Sequence, residues 1–307
     1  VLVQMDIIDM DGQGECERRD AALPDFTACS TAAAFDPALP FQVQRTFDSV
    51  AAKEDGSCGH NVLIQRMRAS LREAVAVELS VGARLIDLGC GTGLDAQAFA
   101  QHGYRVLATD GSAAMVARTR QRAQEAGLDA RLRAVAVGIE HIDQLRGEFD
   151  GIYSNFGSLN HSANLPAVAV ECARLLRSDG CLVFAVIGRI CPWEMSDATL
   201  RGRLMRAGMR LACGATAMHV NANTLWIRRY LPREFYQAFA AYFSLEYYRP
   251  LSVFLPPPYL VDVYQHYPVL GKSLGWLDDR IGTWPLLRDM GDYFLIVMRK
   301  RSTSCYV

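Results

Sequence analysis

The chain lacks any apolar run long enough to cross a bilayer. Its longest clean one, Cys181 to Ile187, is seven residues between Gly180 and Gly188, against roughly 20 for a spanning helix, so it reads as a buried strand. No charge of one sign dominates: 32 Lys and Arg face 33 Asp and Glu, a formal charge of -1 over 307 residues. That balance supplies no field for a nucleic-acid backbone or an anionic membrane, and neither partner is expected. The first residues, Val1 to Asp6, have no basic region ahead of an apolar stretch, so a secretory signal is not supported. Val1 in place of Met fits a non-ATG start or a trimmed chain, with Met5 and Met10 as alternative starts. The nine cysteines include no Cys-x-x-Cys pair, and Cys90, Cys172 and Cys181 fall in apolar or Gly-rich segments. They read as reduced thiols of a cytoplasmic protein without disulfides. Internal repeats, low-complexity tracts and metal-ligand spacings are also missing.

What is present begins with a change of character along the chain. Residues 1–45 hold eight acidic and three basic residues, with Pro24, Pro37 and Pro40 and no sustained apolar period, and read as a partly disordered extension. Residues 46–307 read as one domain, opening with a helical lid over 46–80. Beyond Ala74, short β-rich runs at 83–88, 104–109, 131–137, 149–154 and 181–187 alternate with helical patterns at about 94–101, 112–126 and 164–177. This alternation implies a Rossmann-like, doubly wound, seven-stranded, mostly parallel sheet with helices on both faces. A helix over 232–242 and strands at 243–249 and 293–298 complete it. The irregular stretches 189–231 and 250–291 read as insertions that form a small cap, one after strand 5 and one between strands 6 and 7. In the first, Leu200, Leu204, Ala207 and Leu211 have helical spacing, and Arg201, Arg203, Arg206 and Arg210 read chiefly as its solvated face, with an anionic-substrate clamp as the alternative. In the second, Pro256 to Pro258 with Tyr259, Tyr264, Tyr267, Trp276 and Trp284 read equally as a pocket wall or as ordinary core.

The most informative stretch is Leu85-Ile-Asp-Leu-Gly-Cys-Gly-Thr-Gly93, where the first strand meets the first helix. Its Gly-x-Gly-x-Gly spacing is neither the Gly-x-Gly-x-x-Gly of a dinucleotide fingerprint nor a Walker A loop. Asp87 would repel a phosphate there and attract a cationic amino group. Asp110, at the end of the second strand, sits where a carboxylate can accept both hydroxyls of a ribose.

These residues, with Thr109-Asp-Gly-Ser-Ala-Ala-Met115, closely resemble the first and second motifs of class I S-adenosylmethionine (SAM)-dependent methyltransferases of the small-molecule type. The resemblance is good over 46–188 and holds only in outline elsewhere. It implies that Asp87 lies by the methionine amino group, that Gly89, Cys90, Gly91 and Gly93 underlie the methionine and ribose, and that Asp110 and Gly111 take the ribose. Met115 is then expected against the adenine. In the third motif, Gly138 stands at the usual acid position, followed by Ile139 and Glu140, so the adenine contacts depart from the family's pattern. Asn155, Phe156 and Gly157 match the fourth motif, which faces the sulfonium and methyl group. Arg45-Thr-Phe-Asp-Ser-Val-Ala51 resembles the segment that opens many of these enzymes.

The resemblance implies SAM as cofactor, S-adenosylhomocysteine as product, and no metal. It implies methyl transfer to oxygen or nitrogen, with carbon as a further option, of a small aromatic or hydrophobic metabolite of secondary metabolism. The fourth motif lacks the Asn/Asp-Pro-Pro-Tyr/Phe signature of enzymes that methylate nucleic-acid bases. His161 is the first candidate base, being on the loop after the fourth strand, and His219 the next, with His266 behind it. Tyr153, Tyr230 and Tyr259 are candidate hydrogen-bond donors, and His141 reads as structural. A monomer or homodimer is expected. The competing readings are a SAM-binding regulatory module without chemistry and an NAD-dependent oxidoreductase.

Overall fold

The computed structural model describes residues 61–200, 210–211, 214–220 and 223–302. The extension 1–45, residues 46–60 of the expected lid, and Arg201, Arg203 and Arg206 lie outside the described residues.

The chain enters through α1 (Val62–Glu78), started by Asn61, whose Oδ1 accepts from Leu63 N and Ile64 N at 3.0 and 3.2 Å. Leu63, Ile64, Met67, Leu71, Ala74 and Val75 form its buried stripe. Five strands then follow with helices between them: β1 (Arg84–Leu88), α2 (Leu94–Gln101), β2 (Arg105–Asp110), α3 (Ala113–Glu125), β3 (Leu132–Ala136), β4 (Phe149–Ser154), α4 (Leu165–Leu175) and β5 (Leu176–Ile187). The cap region contributes α5 (Pro192–Leu200) and a hairpin, β6 (Ala215–Val220) with β7 (Asn223–Arg228). After α6 (Pro232–Gln237) and β8 (Phe243–Leu251) come α7 (Val261–His266), α8 (Pro268–Ile281) and β9 (Tyr293–Lys300).

The main sheet has seven strands in the order β3-β2-β1-β4-β5-β9-β8. The first five are parallel, and β9 runs antiparallel to both its neighbours. This is the expected doubly wound architecture with its insertions in the expected places. Sequence order reverses between β1 and β4, which opens a crevice at their carboxyl ends.

The two-residue period of the strands divides the core between the faces. Cys181, Val183 and Ala185 of β5 pack with Leu295 and Val297 of β9 against α1, α2 and α3. Leu182, Phe184 and Val186 pack with Phe294, Ile296 and Met298 against α4 and α6. On that second face Phe239 has its ring 5.1 Å from Phe235, 5.7 Å from Phe184 and 6.2 Å from Phe243.

Two expectations change. The helix from 232 ends at Gln237, since the chain turns to feed Phe239 and Phe243 into this cluster. The cap aromatics form neither core nor an enclosed wall: Tyr259, Tyr267, Trp276 and Trp284 are exposed, because α7 and α8 bury little more than Gly271 and Gly275.

Phe239→Ala should remove about 3 to 5 kcal/mol of stability through the void left among three rings, as chemical denaturation would measure.

Candidate functional site

The turn after β1 is closed by its neighbour strand: Gly89 N and Cys90 N both donate to Thr109 O at 2.9 Å, and Thr109 Oγ1 donates to Asp87 O at 2.9 Å. Gly89 has φ +76°, and a Cβ there would lie 2.4 Å from Ser158 Oγ, so only glycine lets the loop after β4 approach. Gly91, at φ +53°, faces open space. It contributes its N–H to Asp110 Oδ2 at 2.9 Å, while Asp110 Oδ1 accepts from Ser112 N at 2.8 Å. Gly93 precedes the first residue of α2 in a left-handed conformation.

Three carboxylates crowd this turn, and each is compensated differently. Asp110 takes backbone N–H groups. Asp95, in the first turn of α2 and 5 % exposed, takes Arg68 Nη1 at 2.5 Å and Asn155 Nδ2 at 3.0 Å. Arg72 Nε is 3.3 Å from Asp95 Oδ1, an ion pair without hydrogen-bond alignment. Asp87 forms no ion pair among the described residues. Burial first, then the charge of Asp95, raise its carboxyl well above the usual range. Tyr153 is its register partner on β4, but the buried hydroxyl does not align with it as a hydrogen bond. Cys90 is half-buried, and burial likewise raises its thiol, so it is no nucleophile.

Across the crevice, Asn155 Oδ1 accepts from Phe156 N at 2.9 Å and holds Phe156 at φ +53°, ahead of Gly157 at φ +75°. A bulky residue in that region is strained and persists only where its surroundings enforce it. The result presents the Phe156 ring edge-on to Tyr293, with centroids 6.4 Å apart, and under the Arg68 guanidinium at 4.7 Å.

The third-motif residues sit beside the second. Gly111 and Gly138 are neighbours, and a Cβ on either would lie at ordinary contact distance, 3.6 Å, from the other's Cα. Ile139 and Glu140 open a short 3-10 turn, and Glu140 Oε1 accepts from Ala163 N at 3.0 Å. Met115 is 1 % exposed on α3, one turn after Ser112, whose Oγ accepts its N–H at 3.1 Å.

His161 lies half-buried on the 3-10 turn Ser158–His161, with Nδ1 3.2 Å from Trp226 O. A carbonyl only accepts, so Nδ1 carries the proton, and Nε2 keeps its lone pair. Burial pushes the imidazole down to about 4, which leaves it neutral at physiological pH. His219 falls on β6, and its side chain lies outside the described residues. His266 is exposed on α7, and His141 is exposed after β3. Tyr230 is buried on the opposite face.

Sequence reasoning missed Arg68, Asp95 and a second ionic cluster at the start of β9. Arg68 was legible as a charge on the apolar stripe of α1, one turn after Ile64. The second cluster corrects the solvated-face reading of Arg210, which is 4 % exposed. Its guanidinium pairs with Glu194 and, at 2.8 Å, with Asp292 Oδ1, while Tyr259 donates to Glu194 at 3.0 Å. No group of three metal-binding side chains and no helix long and apolar enough to cross a membrane occurs among the described residues.

Residues 85–180 match the protein family described as a methyltransferase domain. The matched segment is similar to that domain. It includes the glycine turn, Asp110 and the loop after β4. The ubiquinone biosynthesis O-methyltransferase of Maricaulis maris (strain MCS10) is 33% identical over 108 residues, 35% of this chain and 42% of the relative. That of Rhodopseudomonas palustris (strain BisB5) is 31% identical over 118 residues, 38% of this chain and 45% of the relative. The matches thus span less than half the length of these relatives. Among solved structures, the [4+2]-cyclase SpnF is similar with a TM-score of 0.59 at 19% identity, covering 88% of this chain and 99% of that one. The 1,6-didemethyltoxoflavin-N1-methyltransferase of Burkholderia thailandensis gives 0.53 at 20% identity, covering 92% and 94%. At these identities the likeness is one of fold.

Asp95→Ala should cost the domain about 3 to 5 kcal/mol in a denaturation experiment, because it strands the buried Arg68 guanidinium without its carboxylate.

Proposed function

We propose that the chain is a SAM-dependent methyltransferase acting on an oxygen or nitrogen of a small aromatic or hydrophobic molecule, with the unit 46–307 as its catalytic domain. The observation that carries this reading is Asp87, a buried carboxylate beside an open glycine turn that forms no ion pair among the described residues. A ligand bearing an ammonium group and a nearby sulfonium suits that carboxylate in charge, whereas a pyrophosphate would meet Asp87 and Asp110 together. The O-methyltransferase relatives support transfer to a small molecule.

Bound SAM would supply a methyl group on a sulfur already activated for displacement. The chain's own residues then bind, align and exclude water. Asp87 takes the amino group, and Arg68 and Arg72 present positive charge to the neighbouring carboxylate end. Asp110 offers the remaining lone pairs of both oxygens to the ribose hydroxyls, with Gly89, Cys90, Gly91, Gly93 and Gly111 forming the floor. Met115, Gly138, Ile139 and Glu140 border the adenine. Asn155, Phe156 and Gly157 face the methyl group, and the enforced backbone of Phe156 makes that face rigid. Holding donor and acceptor in line can supply about 7 to 11 kcal/mol of the barrier. His161, neutral and with its Nδ1 proton committed to Trp226 O, is the proposed base for an acceptor that must lose a proton. His219 is the second choice.

One fold neighbour is named as a cyclase, so the fold alone does not select the reaction, and turnover decides it. Transfer of a labelled methyl group from SAM to a small-molecule acceptor in single turnover is the test; tight SAM binding without any transfer would sink the enzyme reading. Asp110→Ala should weaken SAM binding by about 1.5 to 3 kcal/mol, the range for a charged hydrogen bond, and calorimetry showing unchanged affinity would mean the ribose site is elsewhere. His161→Ala should lower kcat by about 10² to 10⁴ in the same transfer assay, and a loss below about threefold would place the base elsewhere or leave the reaction to alignment alone.

A further inference from the structure

Parallel pairing of β1 with β4 sets Asp87 opposite Tyr153, and the two-residue period of the strands sends both to the face that also buries Leu85. Asp87 is 3 % and Tyr153 1 % exposed. The Tyr153 ring packs on Phe99 with centroids 4.7 Å apart, which keeps the phenol in the core.

A tyrosine buried this deeply normally brings its hydroxyl to an acceptor. Tyr104, which also packs on Phe99, does so by donating to Leu79 O at 2.9 Å. The Tyr153 hydroxyl is buried with no hydrogen-bond partner among the described residues. Phenylalanine would fill the same space without taking an unpaired hydroxyl out of water, so the fold by itself gains nothing from this group.

The acid beside that hydroxyl is Asp87. Asp95 already takes Arg68 and Asn155, and Asp110 takes Gly91 N and Ser112 N. Asp87 forms no ion pair among the described residues. The two groups nevertheless act on each other. Burial, then Asp95, raise the Asp87 carboxyl; the Tyr153 hydroxyl draws it back, Asp110 adds to the rise and Arg68 opposes it. Burial, then Asp87, push the phenol up. Cys90 is the remaining titratable neighbour, with its thiol raised by burial.

We propose that Tyr153 is a positioning residue for Asp87: when a ligand ammonium reaches the carboxylate, the hydroxyl turns its proton onto Asp87 and holds it charged and oriented toward the amino group. Hydroxyl-to-carboxylate bonds are short and strong. A neutral donor also leaves the negative charge available, whereas a lysine or arginine there would take the place of the ligand's own cation. The ammonium is that of the cofactor's methionine end, so this role rests on the methyltransferase reading.

The test measures two ligands by calorimetry on the unaltered protein and on Tyr153→Phe: S-adenosylhomocysteine, which carries the amino-acid end, and 5′-methylthioadenosine, which lacks it. Tyr153→Phe should weaken S-adenosylhomocysteine about tenfold near neutral pH and 5′-methylthioadenosine by less than about twofold. Stability of the free protein in chemical denaturation should be unchanged or higher, because an unpaired buried hydroxyl is discarded. Affinity for S-adenosylhomocysteine should climb with pH as Asp87 ionises, and the climb should come about one pH unit higher in the variant, a tenfold effect. In an Asp87→Asn background the same substitution should cost nothing further. Undiminished S-adenosylhomocysteine affinity, a loss shared equally by both ligands, or a markedly destabilised free protein would make Tyr153 a packing residue and overturn the proposal. Unaltered protein that takes up neither ligand sinks the cofactor reading, and this role with it.

Discussion

Three carboxylates at the carboxyl end of a parallel sheet must be kept from repelling one another, and much of the site follows from how that is done. Asp110 disperses its charge into the N–H groups of Gly91 and Ser112, which fixes the glycine turn and the start of α3 together. Asp95 is neutralised by Arg68, which ties α1 to the first turn of α2. Asn155 spans the same carboxylate and the backbone of Phe156, carrying the constraint into the loop after β4. Asp87 alone of the three forms neither an ion pair nor a side-chain hydrogen bond among the described residues. The cation position proposed above thus follows from the compensation of its neighbours and not from a single strong contact.

The far end of the crevice is built on a different device. Antiparallel β9 starts where parallel β5 ends, so Asp292 and Tyr293 arrive beside Ile187 and Gly188. The two insertions then meet over them through Arg210, Glu194 and Tyr259. Removing those charges from water is costly, and the cost is offset only because Arg210 satisfies two carboxylates at once.

The parallel half of the fold and the glycine turn were legible in the residues themselves, for local reasons. A five-residue strand followed by glycines and a helix has few other solutions, and the predicted and observed bounds of α2 coincide. Gly89 and Gly91 announce positive φ because no other residue adopts it cheaply, and Asp87 and Asp110 stand at strand ends that the alternation locates by itself. Arg68 was nearly legible, as a charge interrupting an apolar stripe, but its partner Asp95 lies 27 residues on and nothing local joins them. Arg210 misled the reading: at helical spacing it looks solvated, and it is buried only because Asp292, 82 residues later, reaches it.

Sequence by itself therefore determined the sheet, its turn and the acids that flank it, since each depends on backbone preferences and side-chain periods within a few residues. Tertiary structure alone decided which charges cancel and which remain, because burial and ion pairing are set by contacts between segments far apart in the chain. That decision left Asp87 without an ion pair among the described residues.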